Sequence, residues 1–299
     1  MALPPDQTPA PVAQENVETY CYGHPNRPTK LQCSRCDRYI CGQCAIPASV
    51  GQHCPECVAE ARKSAPKVRT AMAVNAPATR AIIAITVGVY VLQIFTGDLL
   101  IDRFASSTAH IADGQFYRLL TSVFLHAPLQ GSFSILHIAF NMYILSIYGP
   151  HVEQTFGTAR FVFLYFATGF VASAVSYNLN DCIVGYGASG AVFGIVGVLL
   201  LYLYNRRSST IASAYLRDIG IFIAINLMFG FTLSGIDNFA HIGGLLGGIA
   251  LAAGFDRGLV GEGSPAPPRQ IATSVVVLGV AVALVIQRTA TFDLSACFA

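Results

Sequence analysis

The chain has 299 residues, of which 54% are hydrophobic and only 11% charged, and its formal net charge is +2. Ordinary soluble proteins carry roughly 25% charged residues, and so large an apolar fraction does not fit inside one soluble core of this length. The composition excludes a soluble enzyme and a disordered chain, and the near-neutral charge gives no sign of nucleic-acid binding. It predicts a polytopic membrane protein with a small polar extension.

The polar extension comes first. Residues 1–19 are rich in Pro and predict a disordered tail, without the basic start and apolar stretch of a signal peptide. Residues 20–58 hold seven of the nine cysteines and predict a small domain, and residues 59–79 predict a basic linker. Residues 80–255 are expected to form a membrane core of six helices, and residues 256–299 a loop, a seventh span and a short external tail.

Seven stretches are apolar enough to cross a bilayer as helices, which takes about 20 residues each. Between the first two, residues 98–130 are more polar and are expected to lie on or dip into the membrane surface. Basic residues concentrate in the linker and in alternate connections, which predicts a cytoplasmic N-terminus and an external C-terminus, and the Ala- and Gly-rich spans suit a bacterial plasma membrane. The predicted spans are residues 81–97, 132–150, 160–179, 184–205, 215–234, 237–255 and 271–288.

Four pairs of potential metal ligands with two-residue spacers stand out in residues 20–58. Such a spacer lets both side chains of a pair bind one ion, and eight ligands suffice for two tetrahedral zinc sites without an open position. Because the predicted cytosol is reducing, zinc is favoured over a disulfide framework, and the metal would supply the folding energy. The pairs are Cys21 with His24, Cys33 with Cys36, Cys41 with Cys44, and Cys54 with Cys57.

The pairing of these ligands is open at this point. The short gap from Cys36 to Cys41 favours interleaving, in which the first pair shares an ion with the third and the second with the fourth. That pattern resembles B-box and other cross-brace zinc modules. Sequential pairing, and His53 in place of Cys54, remain alternatives. The module is expected to bind a cytosolic protein partner or to regulate the membrane part.

Polar residues within the spans cluster in three of them. His137 and Asn141 share one face of the second span because they are four residues apart. Ser189 and His241 lie near the starts of the fourth and sixth spans, where glycines spaced by four let helices approach closely. An imidazole is the usual base for a serine nucleophile, so we predict a Ser189–His241 dyad, with His137, Asn141 and backbone N–H groups stabilising the oxyanion.

The serine, glycine and histidine patterns in the spans each also have a simpler explanation. A membrane serine usually bonds its own helix backbone, Gly runs often serve packing alone, and histidines can relay protons in a transporter. The spans lack pairs of acidic residues and the two halves show no repeat, which disfavours a transporter. His110, His126 and His151 lie in loops or at span ends and are assigned no role.

The motifs resemble those of the rhomboid family of intramembrane serine proteases. The family's His-x-x-x-Asn, Gly-x-Ser-Gly and Ala-His-x-x-Gly-x-x-x-Gly match residues 137–141, 187–190 and 240–248, in the same order and spans. The resemblance covers residues 80–255 and implies an all-α, rhomboid-like bundle of six core spans, here with a seventh. It implies a water-filled cavity open to the outside, a mobile cap near residues 231–237, and the fifth helix as a lateral gate.

The resemblance further implies cleavage of single-span membrane proteins near the outer face, without a catalytic cofactor. The alternative is an inactive rhomboid-like protein that binds and escorts membrane proteins. Two residues depart from the family pattern. Tyr117 stands before Arg118 where the family has Trp, and Phe193 stands where the family often has a tyrosine stacked on the histidine. A phenyl ring can stack but cannot donate a hydrogen bond.

Overall fold

A computed structural model describes residues 18–64, 75–128, 134–233, 235–256, 267–293 and 297. The predicted tail, except its last two residues, and much of the predicted linker lie outside the described residues, as does the connection 257–266. The chain divides into two compact units, Met1–Thr70 and Ala71–Ala299. The finer domain boundaries stay a prediction.

The N-terminal unit is built from two hairpins and a helix. Strand β1 (Tyr20–Cys21) pairs antiparallel with β2 (His24–Pro28), β3 (Ile46–Pro47) pairs antiparallel with β4 (Gln52–His53), and α1 (Pro55–Ser64) follows. Its buried cluster consists of six cysteines and Ile40. One buried aliphatic side chain cannot stabilise a domain of about forty residues. The stability of this unit must therefore come from its cysteines.

The second unit contains a long helix at each of the seven predicted spans. Five of these helices are long and apolar enough to cross a membrane, and the helix bearing Ser189 is a shorter apolar helix of 16 residues. The fourth span begins five residues later than predicted, because residues 184–185 form a strand and residues 186–188 an irregular segment before it. The helices are α2 (Pro77–Thr96), α6 (Ser134–Phe156), α7 (Thr158–Leu179), α8 (Ser189–Tyr204), α9 (Thr210–Thr232), α10 (Asn238–Phe255) and α11 (Pro267–Thr291).

The connection between α2 and α6 is folded. It contains α3 (Leu99–Phe104), β5 (Ser106–Ser107), α4 (Thr108–Ala112) and α5 (Arg118–Thr121), and β5 pairs antiparallel with β6 (Val184–Gly185). Arg118 is buried and its guanidinium donates to the carbonyl oxygens of Ala105 and Asp102.

The two members of the Tyr117–Arg118 pair therefore differ in role. Tyr117 is exposed, as an interfacial aromatic residue would be. Arg118 instead satisfies backbone carbonyls inside the loop and holds its shape.

Helix α8 runs through the centre of the bundle, where it is buried from Gly190 to Leu199. It packs against α6, α7 and α10.

Glu153 in α6 accepts hydrogen bonds from the backbone N–H groups of Ala78 and Thr79 at 2.9 and 2.8 Å. These N–H groups belong to the first turn of α2 and have no partners within that helix, so the carboxylate fastens the start of α2 to α6.

Candidate functional site

Helices α8 and α10 lie so close together that only glycine fits at their points of contact. A Cβ atom on Gly244 would lie 2.0 Å from the carbonyl oxygen of Gly190, and one on Gly248 would lie 2.0 Å from that of Gly194. Any larger residue at these positions would force the backbones apart. The contact predicted from the glycine spacing is therefore present, and it brings the starts of both helices together.

Ser189 and His241 lie at these two starts. Ser189 is the first residue of α8, and His241 lies in the first turn of α10. Phe193, one turn after Ser189 on the same face, stacks on the His241 ring with centroids 4.4 Å apart and ring planes 5° apart. The first turn of α8 thus faces the imidazole, which is only 7% exposed.

Helix α8 is shorter than the hydrocarbon core of a bilayer is thick. Sixteen residues at about 1.5 Å each extend about 24 Å, whereas the hydrocarbon core of a bilayer is about 30 Å thick. If α8 ends at one face of the core, it begins below the other. Ser189 then lies inside the membrane slab, and the free N–H groups of the first helical turn point to the same place.

Asp237 fixes the start of α10. Its carboxylate accepts hydrogen bonds from the Ala240 backbone N–H at 3.0 Å, from the Asn180 side chain at 3.2 Å and from the Ser176 hydroxyl. Its carbonyl oxygen accepts from the His241 backbone N–H at 3.2 Å. An Asp three residues before a helical N–H is the usual N-cap pattern, so a search of the sequence for caps would have found this role.

The side chain of His241 has no comparable acidic partner. Its Nδ1 atom is buried and has no hydrogen-bond partner among the described residues. Asp237 is committed to the helix cap instead. Among the described residues, no carboxylate bonds His241 Nδ1 as the third residue of a serine-protease triad would.

The loop before α8 brings His137 close to Ser189. Gly187 has a φ of +135°, and a Cβ atom on it would lie 3.1 Å from Cε1 and Nε2 of His137 and 3.8 Å from Oγ of Ser189. Glycine readily adopts this φ and has no Cβ atom to contact the His137 ring. His137 and Ser189 therefore flank a single small residue, although α6 and α8 are distant in sequence.

Asn141 lies beside His137, and a residue without a predicted role lies beside both. The Asn141 amide donates to the His137 carbonyl oxygen at 3.0 Å, and its nitrogen is 3.5 Å from Nε2 of His126. The His126 ring is fully buried, with its centroid 5.1 Å from that of His137. Gln93 of α2 bonds both the N–H and the carbonyl of His126. No local pattern marks a loop histidine as buried, which explains why the sequence missed it.

The N-terminal unit brings its eight predicted ligands into two groups. The first contains Cys21, His24, Cys41 and Cys44, and the second contains Cys33, Cys36, Cys54 and Cys57. Within each group the ligand atoms lie within 4.8 Å of one another. The ligand pairs interleave as the short Cys36–Cys41 gap favoured, and Cys54, not His53, completes the second group.

The spacing within the groups fits a tetrahedral zinc ion. A tetrahedron with Zn–S bonds of about 2.3 Å has edges of about 3.8 Å. Cys21 and Cys44 have Sγ atoms 3.8 Å apart, as do Cys36 and Cys54. In the first group, Nδ1 of His24 lies 3.2 to 3.8 Å from the three sulfur atoms.

The thiols of the second group differ in pKa. Burial raises the pKa of Cys33, but backbone N–H groups, led by that of Arg35, outweigh burial and lower it to about 6. In the same group, the Cys54 side chain and burial raise the pKa of Cys57 to about 12. Thiols this close cannot all ionise by themselves, whereas a divalent cation stabilises every thiolate. Arg38 adds N–H donors to the sulfurs of Cys36 and Cys54 at 3.3 and 3.7 Å.

Comparisons with known proteins identify the helical unit. A family model described as the Rhomboid domain matches residues 113–257. Rhomboid protease GluP of Bacillus subtilis is 40% identical over 153 residues, which are 50% of this chain and 28% of that protein. Putative rhomboid protease YdcA of the same organism is 32% identical over 143 residues, which are 48% of this chain and 68% of that protein. RHOMBOID-like protein 6, mitochondrial, of Arabidopsis thaliana is 39% identical over 138 residues, or 45% and 42% of the two chains.

The chain belongs to the rhomboid family. The family model includes all three motifs, whereas the N-terminal unit and α11 lie outside it. The chain spans between 28% and 42% of the length of several relatives, and 68% of that of YdcA. The fold class expected from the sequence, an all-α rhomboid-like membrane protein with a small Cys-rich domain, is confirmed.

Proposed function

We propose that the protein is an intramembrane serine endopeptidase that cleaves single-span membrane proteins. The observation that carries the proposal is the stacking of Phe193 on His241, which sets the turn containing Ser189 against the imidazole. Membership of the rhomboid family supports the same reaction class. The family's frequent tyrosine is replaced here, but the phenyl ring keeps the stacking.

We assign the steps of the reaction to the predicted site residues. Ser189 Oγ attacks the substrate carbonyl carbon while His241 accepts the hydroxyl proton, giving a tetrahedral intermediate. His137, Asn141 and N–H groups at the start of α8 donate hydrogen bonds to its oxyanion. His241 then passes the proton to the leaving amine, and water hydrolyses the acyl-enzyme with His241 again as the base. No step calls for a cofactor.

Helix α9 is suited to admit a substrate helix. Ala212 and Ile219 are its only buried residues among those described. Phe222 contacts Phe140 of α6 and Phe193 of α8 through aromatic rings, with centroids 6.3 and 5.5 Å apart. A helix held by so few contacts can move aside more easily than the buried α8. The predicted cap over the site spans residues 231–237, of which residue 234 lies outside the described part.

We also propose that the N-terminal unit is cytosolic and that the catalytic end faces the outside of a bacterial plasma membrane. The distribution of basic residues supports this orientation. The cysteines agree with it, because seven are free thiols in the N-terminal unit while Cys182 and Cys297 form a disulfide in the helical unit. Disulfides persist in oxidising compartments, and free zinc-binding thiols persist in reducing ones.

A fluorophosphonate probe tests the central proposal. It reacts with a serine only when a base has activated the hydroxyl, so wild-type protein in detergent is expected to become labelled and Ser189→Ala protein is not. Absence of labelling in the folded wild type would favour the inactive, escorting member of the family. Labelling that persists in Ser189→Ala would place the nucleophile elsewhere.

The oxyanion role of Asn141 predicts a graded loss. Replacing Asn141 with Ala is expected to lower kcat for a single-span reporter by about 10- to 1000-fold, a range that includes the roughly 100- to 1000-fold typical for loss of one oxyanion donor. Thr155→Ala is the matched control in α6, because among the described residues the Thr155 hydroxyl bonds just the His151 carbonyl of its own helix, at 2.6 Å. Full activity in Asn141→Ala would refute the role.

The two metal groups are proposed to hold structural zinc. All ligand positions come from the protein, so the ions would stabilise the fold without activating water. Replacing Cys33 and Cys36 with Ser is expected to reduce bound zinc from two ions per chain to one, measured by atomic absorption. His53→Ala is the control and is expected to keep both ions.

The same double substitution tests whether activity at the catalytic site depends on the zinc module. Activity in detergent is expected to remain measurable in the Cys33→Ser, Cys36→Ser protein, since the module is expected to serve a cytosolic partner. Loss of activity together with zinc would instead show that the module regulates the membrane part directly.

A further inference from the structure

The last cysteine of the chain is joined to the loop that leads into α8. Cys182 lies between α7 and β6, Cys297 lies beyond the end of α11, and their sulfur atoms form a disulfide with Cα atoms 5.1 Å apart. The two residues are separated by 115 positions in sequence. None of the three sequence motifs includes either cysteine, and Cys297 lies outside the residues matched by the family model.

Other contacts fasten the end of α11 to the same loop. Arg288 forms an ion pair with Asp181, the residue before Cys182. The Tyr177 hydroxyl at the end of α7 lies 3.0 Å from that of Thr289. The disulfide is therefore the covalent part of a larger contact between the seventh helix and this loop.

The loop itself continues directly into the candidate site. Immediately after Cys182, the N–H and carbonyl of Ile183 both bond Thr108, at 3.2 and 3.1 Å. Strand β6 then pairs with β5, the N–H of Gly187 bonds the Ser122 carbonyl at 3.0 Å, and Ser189 follows. The position of Ser189 thus depends on a short segment whose first residue is the disulfide cysteine.

The same loop also touches the histidine side of the site. Asn180 donates to the carboxylate of Asp237, which caps the helix that carries His241. A change in the backbone near residue 182 can therefore reach both Ser189 and His241 through hydrogen bonds already described.

Cys182 has a backbone conformation that needs support. Its φ is +47°, in the left-handed region that residues other than glycine, asparagine and aspartate rarely adopt. Such a conformation persists only where its surroundings enforce it, and the disulfide is one of the restraints here. Cys182 is also an exposed residue, whereas Cys297 is half-buried.

We propose that Cys182–Cys297 is a thiol–disulfide exchange site whose oxidation state sets the activity of the neighbouring serine and histidine. The reactant is a dithiol, and the partner class is an external dithiol–disulfide oxidoreductase. A thiolate of the dithiol attacks Cys182 Sγ, and the Cys297 thiolate leaves and takes up a proton. The second thiolate of the reagent then attacks the reagent's own sulfur in the mixed disulfide, and the Cys182 thiolate leaves and takes up a proton. The reagent ends as a disulfide, and both cysteines end as thiols.

Reduction is expected to release Cys297 from the loop that contains Cys182 and to lower protease activity. This inference rests on the proposed protease function, so its test begins with oxidised wild-type protein that cleaves the reporter. Dithiothreitol serves as the dithiol probe. Maleimide labelling of the denatured chain should count seven thiols before treatment and nine after it.

The control is the Cys182→Ser, Cys297→Ser double variant. Reduced wild type and the double variant are both expected to cleave the reporter severalfold more slowly than oxidised wild type. Dithiothreitol should leave the double variant unchanged, which excludes an action on the zinc-binding thiols. A wild-type sample with nine free thiols and the oxidised rate would overturn the proposal.

Hydrogen exchange provides a readout that does not depend on proteolysis. Reduction should speed exchange at the backbone N–H groups of Ile183 and Gly187, with no change at the N–H of Gly157 at the start of α7. Unchanged exchange at Ile183 and Gly187 would contradict the proposed coupling between the disulfide and the loop before α8, even if the protein had no protease activity. If reduction speeds this exchange but the oxidised protein does not cleave the reporter, the proposed protease function alone is wrong.

Discussion

Replacement of Ser189 or of His241 by Ala is expected to abolish cleavage of a single-span reporter. In serine proteases, loss of the nucleophile or of the base each lowers kcat by on the order of 10⁶-fold, because the two residues act as one unit. The single substitutions and the double substitution should therefore have nearly equal rates. Reporter cleavage in proteoliposomes, followed by gel electrophoresis, measures all three.

Two substitutions elsewhere control for a general effect of losing a hydroxyl or an imidazole. Ser146 bonds a carbonyl of its own helix, and His151 contacts only the edge of the Tyr215 ring among described aromatic residues. Ser146→Ala and His151→Ala should keep the wild-type rate. The dyad would be wrong if His241→Ala retained cleavage well above that of Ser189→Ala.

Replacement of Gly248 by Ala is expected to destabilise the bundle strongly. The new Cβ atom would lie 2.0 Å from the carbonyl oxygen of Gly194, a backbone atom that cannot rotate away. Overpacking of a core typically costs 1–3 kcal/mol, and a backbone clash should reach about 3 kcal/mol or more. Thermal unfolding in detergent should show a clearly lower midpoint, and activity should fall because α8 and α10 separate.

Gly279 in α11 provides the matched control. Apart from its chain neighbours and the backbone of its own helix, no atom of the described residues lies within 4 Å of the position that its Cβ atom would occupy. Gly279→Ala should therefore be neutral or slightly stabilising, since alanine favours a helix by about 1 kcal/mol over glycine. Equal unfolding midpoints for the two variants would show that the glycines of α10 do not set the helix spacing.

The sequence predicted the parts of this protein that repeat at helical or ligand spacing. Long apolar runs have few alternatives to helices in a membrane, so a helix lies at each predicted span, and five of these helices are long and apolar enough to cross a membrane. Glycines at four-residue spacing predicted the contact of α8 with α10, and two-residue spacers predicted the ligand groups. In each case, the signal lies within a few neighbouring residues.

Features that depend on residues far apart in sequence were missed. Nothing local indicates that Arg118 would bond carbonyls inside its own loop or that His126 would be buried beside Asn141. The partner of Cys182 lies 115 residues away, so neither cysteine could be assigned. The start of the fourth span was set too early because Val184 and neighbouring residues are apolar enough for a helix but pair as a strand.

The interleaving of the two metal groups has a consequence for biosynthesis. The first group is complete only once Cys44 has been made and the second only once Cys57 has been made, so the second site closes last. Cys57 precedes Pro77, where the first long apolar helix starts, by about 20 residues, which takes about 1 to 4 seconds at a synthesis rate of 5–20 residues per second. Metal capture and membrane targeting of the nascent chain would thus begin within seconds of each other.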